Sequence, residues 1–170
     1  MQKIGAGKAV LGSGNSRYVP EGWDRNRARE QLLELFVWIG DEFASSGLTL
    51  AIEPLNRGET NIINSVAEAS WYTEEINRDC IRITADLYHM ELENEPFSTL
   101  IDNQQWLAHV HISDTDRLPP GAGHYRCQAF FDALRSAGYG GTISAECNEP
   151  VSELAIAETL PFIKQKWTNG

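Results

Sequence analysis

Apolar residues recur along this chain in two rhythms. Short apolar runs stop abruptly at a glycine or an acidic residue, and the longer stretches between them carry apolar positions three and four residues apart. That alternation predicts strands separated by amphipathic helices, the pattern of βα units built around a parallel sheet. Strands are expected over residues 4–11, 48–52, 80–85, 107–112 and 142–145. A helix is expected over 25–46, with Ala28, Leu32, Leu35, Phe36, Ile39 and Phe43 on its buried face and Gly47 as its stop. The next begins near Asn64, where Ser65 and Glu68 have capping-box spacing, and buries Val66, Ala69, Tyr72 and Ile76. Further helices are expected over 96–101, over 128–137 with Gly138 as terminator, and over 152–166, where Pro161 should kink or split the last. No linker interrupts the pattern, so residues 1–170 are read as a single domain.

The residues that end these strands carry the chemistry. The second run ends in Glu53, the third in Asp86, the fourth in His111 with Asp114 beyond, and the fifth in Glu146. In parallel βα folds the carboxyl ends of the strands share one edge, and ligands bind there. A single acidic residue after a strand is ordinarily a solvated loop residue or a helix cap. Acidic or imidazole groups after four successive strands form a set. Gathering three carboxylates is prohibitive unless something neutralises them, and a divalent cation does so directly. Three oxygens and one nitrogen suit Mn2+, Co2+, Mg2+ or Zn2+ and disfavour copper. His109 shares a strand face with His111 and is read as a packed neighbour rather than a ligand.

Composition narrows the partners. The net charge of −10 lacks the basic footprint of a nucleic-acid binder and argues against an anionic membrane surface. The three cysteines, Cys80, Cys127 and Cys147, show no metal-ligand spacing and fit free thiols in a reducing compartment. No apolar stretch is long enough to span a bilayer, and the first residues lack a signal-peptide core. A cytoplasmic location is expected.

The segments Ile52-Glu53-Pro54-Leu55-Asn56-Arg57, Asp86-Leu87-Tyr88-His89-Met90, His109-Val110-His111 and Ala145-Glu146 resemble the xylose-isomerase-like barrel superfamily. Within it they are most similar to the sugar-phosphate isomerase/epimerase group that includes the D-tagatose 3-epimerase and hydroxypyruvate isomerase families. The resemblance implies a partial (β/α)8 TIM barrel, α/β in class, with about five parallel strands from the C-terminal part of the barrel. It implies that Glu53, Asp86, His111 and Glu146 hold a divalent metal, and that Glu53 and Glu146 are the two acid/base carboxylates. His89, Arg117 and Glu59 match substrate-contacting positions.

The activity so implied is isomerisation or epimerisation of a ketose or small hydroxy-carbonyl compound, by proton transfer through an enediolate. The first run corresponds to the family's fourth strand, and the first three βα units have no counterpart here. An open sheet of this kind is expected to be covered, with a second copy of the chain as the expected partner. Two other readings are weighed. One is a non-catalytic metal- or sugar-binding or assembly module built on the incomplete barrel. The other is an apurinic endonuclease relative, which the four histidines and the acidic charge oppose.

Overall fold

The computed structural model describes residues 2–148 and 152–168. Its strands are β1 (Lys8–Leu11), β2 (Thr49–Ile52), β3 (Ile81–Asp86), β4 (Leu107–Ile112) and β5 (Thr142–Ala145). They form one sheet in the order β1-β2-β3-β4-β5. Sheet order that equals chain order, with helical connections, is what successive βα crossovers of one hand generate. The register is parallel, with Lys8 opposite Thr49, Leu50 opposite Ile81 and His109 opposite Thr142. The chain falls into two compact units, Met1–Thr84 and Ala85–Gly170.

In the first unit the helices are α1 (Gly14–Arg17), α2 (Arg25–Ala44) and α3 (Val66–Ile76). Asp24 caps α2 by accepting the backbone N–H groups of Asn26 and Arg27. The buried stripe of α2 is narrower than its periodicity implies. Leu32, Phe36 and Gly40 are buried, Ala28, Ile39 and Phe43 are half-buried, and Leu35 is exposed. Gly40 explains part of this, because a Cβ there would lie 2.9 Å from Cγ of Arg78, so the helix meets its neighbours where side chains are smallest. The helix ends at Ala44, before the expected residue 46, and Gly47 follows with φ +68°.

Ser65 accepts the Glu68 N–H at 3.0 Å, while the Glu68 carboxylate accepts the N–H of Asn64 at 2.8 Å. The capping box therefore closes one residue earlier than its standard form. Val66, Ala69, Tyr72 and Ile76 are buried as expected. Tyr72 meets Phe36 edge-on, with ring centroids 5.9 Å apart.

In the second unit the helices are α4 (Leu87–Leu92), α5 (Ser98–Asp102), α6 (Cys127–Ser136) and α7 (Glu153–Thr168). Its core is aromatic. Phe130 and Phe131 of α6 are fully buried, and Phe97 packs edge-on against Phe130 at 5.3 Å. Gly138 follows α6 with φ +65°, the terminator its position implied.

Of the two outcomes expected at Pro161, a kink or a split, the split does not occur, since α7 continues through it from Glu153 to Thr168. The missing N–H would have bonded the carbonyl of Ala157. Both Ala157 and Pro161 are exposed, so water can satisfy that carbonyl. The inner side of α7 meets α6 through Trp167, 6.0 Å from Phe131, and Arg135 donates to the terminal carbonyls of Lys166 and Trp167. Among the described residues no helix is long and apolar enough to cross a membrane.

Candidate metal and catalytic site

Asp86, His111 and Glu146 come together in the second unit. Asp86 is the last residue of β3, 1% exposed, and its two oxygens divide their work. Oδ1 accepts the Tyr88 N–H at 2.9 Å and so caps α4. Oδ2 lies 3.6 Å from both Nη1 of Arg117 and Nε2 of His89. The helix begins directly where the strand ends, and that places His89, one turn along, back over the carboxylate that caps it.

Arg117 is the hub of this cluster. Its Nη1 donates to Oε2 of Glu146 at 2.8 Å, and its Nη2 donates to Nε2 of His89 at 2.9 Å. Its guanidinium also lies over the Tyr88 ring, 4.4 Å from the centroid. A guanidinium can only donate, so His89 Nε2 accepts and the ring is neutral with its proton on Nδ1. The 3.6 Å approach of His89 to Asp86 is then a polar contact and not a charged bridge.

His111 Nδ1 lies 3.3 Å from Oε2 of Glu146, and the ring packs edge-on against His109 at 5.0 Å. His109 lies within hydrogen-bond distance of Thr142 Oγ1, at 2.8 Å. The hydrogen bond from His111 holds the Glu146 carboxyl at about 2, well below the usual carboxylate range. Burial opposes this, and the charges of His111 and Arg117 reinforce it. Glu146 keeps 45% of its side chain exposed, so it is reachable from solvent while ionised.

Glu53 follows β2 in the first unit and is 4% exposed. The backbone holds it in place: its N–H donates to the Leu11 carbonyl at 3.1 Å, and its own carbonyl accepts Nη2 of the buried Arg17 at 2.6 Å. Arg17 reaches the Leu11 carbonyl as well, at 3.1 Å, and so ties together the ends of β1 and β2. Burial lowers the pKa of this guanidinium from its ordinary value, and Glu53 and Glu68 oppose the shift. Gly12 matters most for the carboxylate, since a Cβ there would lie 2.1 Å from Glu53 Oε2. Only a residue without a side chain leaves Glu53 its present position.

Beyond Glu53, Asn56 donates to Glu59 Oε1 at 2.9 Å, and Asn64 donates to the carbonyls of Leu55 and Thr60. Glu59 is exposed in this loop. Ile63 is fully buried with φ +59°, a left-handed conformation that costs a β-branched residue about 1–3 kcal/mol. The loop's hydrogen bonds hold that strain in place.

Asp114, noted in the sequence only as lying beyond His111 and given no role there, is 1% exposed and accepts the N–H groups of Thr115, Tyr125 and Gly121 at 2.9, 2.9 and 3.1 Å. Its signal was the Gly-rich run that follows it, because several free backbone N–H groups in one loop need an acceptor. Arg126 extends the same region by pairing with both oxygens of Glu91, donating from Nε to Oε1 at 3.0 Å and from Nη2 to Oε2 at 2.9 Å.

A parallel βα sheet with acidic and imidazole side chains at the carboxyl ends of its strands defines a protein of the (β/α)8-barrel class. The chain belongs to the xylose isomerase-like TIM barrel family, whose model matches residues 1–166. It is 33% identical over 132 residues to a ketose 3-epimerase of Arthrobacter globiformis, covering 77% of this chain and 45% of that protein. It is 38% identical over 104 residues to the 3-dehydro-D-guloside 4-epimerase of Escherichia coli, covering 61% and 40%. Among solved structures, an AP endonuclease, family 2, from Brucella melitensis superposes with a TM-score of 0.81 at 28% identity, over 95% of this chain and 63% of that one. The chain thus spans less than half the length of these two curated relatives, and its five strands are part of a TIM barrel.

Proposed function

We propose that this chain carries the metal-binding half of a sugar epimerase or isomerase acting on a ketose or small hydroxy-carbonyl compound. One observation carries the reading: the ligand atoms of Asp86, His111 and Glu146 lie within 4.8 Å of one another. Three donors about 2.1 Å from a shared cation stand about 3–4.2 Å apart, so a closure on the order of an ångström at the widest pair is enough. Glu53 is the proposed fourth ligand, the position that its family resemblance implies. It follows β2 of the same parallel sheet, and strand ends in such sheets serve one site.

The donor set is three carboxylates and an imidazole, which suits Mn2+, Co2+, Mg2+ or Zn2+. A cation bound there would polarise a substrate carbonyl and its neighbouring hydroxyl, making the adjoining C–H acidic. Glu146, ionised and solvent-reachable, is suited to take that proton. Glu53, the second acid/base carboxylate, would deliver one from the other side, as inversion of a stereocentre requires. Arg117 and His89 donate toward developing oxyanion charge, Arg117 through its Nη groups and His89 through the proton on Nδ1. Glu59 is the proposed acidic contact at the reacting end of the sugar.

Both of these epimerases act on sugars, and this supports the substrate class. The net charge of −10 and the four histidines weigh against endonuclease activity. The exposed apolar side chains Leu35, Trp38 and Trp71 in the first unit, and Leu154, Ile156 and Leu160 in the second, support association with a second copy of the chain. Light scattering that returns a monomer mass would refute that association.

Turnover of a ketose panel with added Mn2+ or Co2+ tests the enzyme reading. Activity that Glu146→Gln abolishes without loss of fold is expected. Cation binding without turnover would instead establish a non-catalytic binding module.

A further inference from the structure

We propose that Asp114 is a positioning residue that sets the Arg117 guanidinium without touching it. The inference deepens the reading of Arg117 as a substrate contact, and its central test does not need turnover. Asp116 and Arg117 are consecutive non-glycine residues with φ +57° and +56°, both in the left-handed region. Aspartate tolerates that conformation better than most residues, but arginine does not, so the surroundings must impose it at Arg117.

Two anchors do so. On one side, the Asp114 N–H donates to the Leu118 carbonyl at 2.8 Å and closes the turn that contains the strained pair. The buried Asp114 carboxylate then gathers the N–H groups of Thr115, Gly121 and Tyr125, together with the Thr115 hydroxyl at 3.3 Å. Both ends of the loop are therefore drawn to one pair of oxygens. Gly123 shows how tightly the loop wraps it, since a Cβ there would lie 2.4 Å from Asp114 Oδ1.

On the other side, Asn148 donates its backbone N–H to the Arg117 carbonyl at 2.9 Å and its side-chain amide to the Asp116 carbonyl at 3.2 Å. Asn148 lies two residues beyond Glu146, the carboxylate that Arg117 grips. The strained pair is held from before and from behind, and Arg117 leaves it aimed at Glu146 and His89. Catalytic groups must be held to within about 0.5 Å, and a long side chain leaving a strained loop needs this kind of support.

The test compares wild type with Asp114→Asn, Asp114→Ala and Asn148→Ala, using Arg117→Lys to assign the guanidinium signals. In wild type the Arg117 Nη protons are expected to be resolved by NMR, and the Asn148 and Leu118 amides to be protected from exchange. In Asp114→Asn, which keeps the shape but loses the carboxylate, the Arg117 Nη signals should average and Asn148 protection should fall at least tenfold. Protection at Val110 and Phe130 should stay unchanged and so report an intact fold. Should Asp114→Ala fail to fold, Asp114→Asn and Asn148→Ala still decide the matter. With substrate turnover as a second readout, kcat should fall with Mn2+ affinity retained. Unchanged Arg117 signals in Asp114→Asn would overturn the proposal. A wild type that neither binds Mn2+ nor turns over a ketose would instead overturn the functional reading and leave the positioning result standing.

Discussion

Gly12→Ala separates the placement of Glu53 from the stability of the fold. Gly12 has no positive φ that alanine would resist, so the backbone accepts the change. The new Cβ would lie 2.1 Å from Glu53 Oε2, 3.2 Å from its Cδ and 3.8 Å from its Cβ. Carbon–oxygen contacts ordinarily begin at about 3.3 Å, so the oxygen must retreat by about 1.2 Å while the rest of the side chain scarcely moves. Rotation at the end of the side chain achieves this at a cost of about 0.5–1.5 kcal/mol. The lost freedom of the unfolded chain offsets about 0.4–1 kcal/mol of it. The melting temperature should therefore stay within about 3 °C of wild type. A ligand displaced by more than an ångström leaves the bonding distance of a cation, and Mn2+ affinity should fall about 10–100-fold. Calorimetric titration of Mn2+ into both proteins, alongside thermal melts, measures the two effects independently. Equal Mn2+ affinity in the two proteins would remove Glu53 from the ligand set. Loss of the fold would show that the carboxylate cannot move aside.

Three further outcomes follow from the same geometry. Four backbone N–H groups hold the Asp114 carboxyl below the ordinary carboxylate value although burial, the largest single influence, pushes it up. Its stabilisation is thus complete above the unfolded pKa of about 3.9 and is lost as pH falls through the lower folded value. Melts from pH 6 to pH 3 should show the wild-type advantage over Asp114→Asn shrinking toward acid, and a constant gap would contradict the assignment. Ile62 and Ile63 are both fully buried, but only Ile63 has positive φ. Ile63→Gly should therefore cost less stability than Ile62→Gly, by about 1–3 kcal/mol in urea unfolding, because glycine relieves the left-handed strain; the reverse order would refute that. Phe131→Ala removes a fully buried ring that touches Phe130 and Trp167 and should cost about 3–5 kcal/mol, and a loss under about 1 kcal/mol would mean that α7 is not docked on α6.

What could be read from the chain alone follows from the range of the interactions involved. β4 and β5 match their expected bounds because runs such as Leu107–Ile112 end at residues unsuited to a strand. Helix α4 was not legible because it starts with no loop after β3. Asp86 ends the strand, caps the helix and faces Arg117 at once, and a pattern search assigns one role per residue. Leu35 has the right period for burial in α2 yet is exposed, since the width of a buried stripe depends on the neighbour and not on the helix itself. The acidic and imidazole residues at strand ends were legible as a set. Their supports were not, because Gly12, Asp114 and Asn148 act through contacts that no local period encodes.

This difference bears on how the site is built. The chemistry-bearing residues sit on strand ends, where pairing between neighbouring strands fixes the backbone, so their spacing in sequence already implies convergence. Arg117 sits on a loop, and nothing in a loop's local preference would aim a long side chain at Glu146. Its aim is assembled from a buried acceptor ahead of it and an amide donor behind it, with two strained residues between. A substitution that spares every candidate ligand can therefore still remove the cation that faces them. For that reason Asp114 and Asn148 should be varied before the candidate ligands when the role of Arg117 is in question.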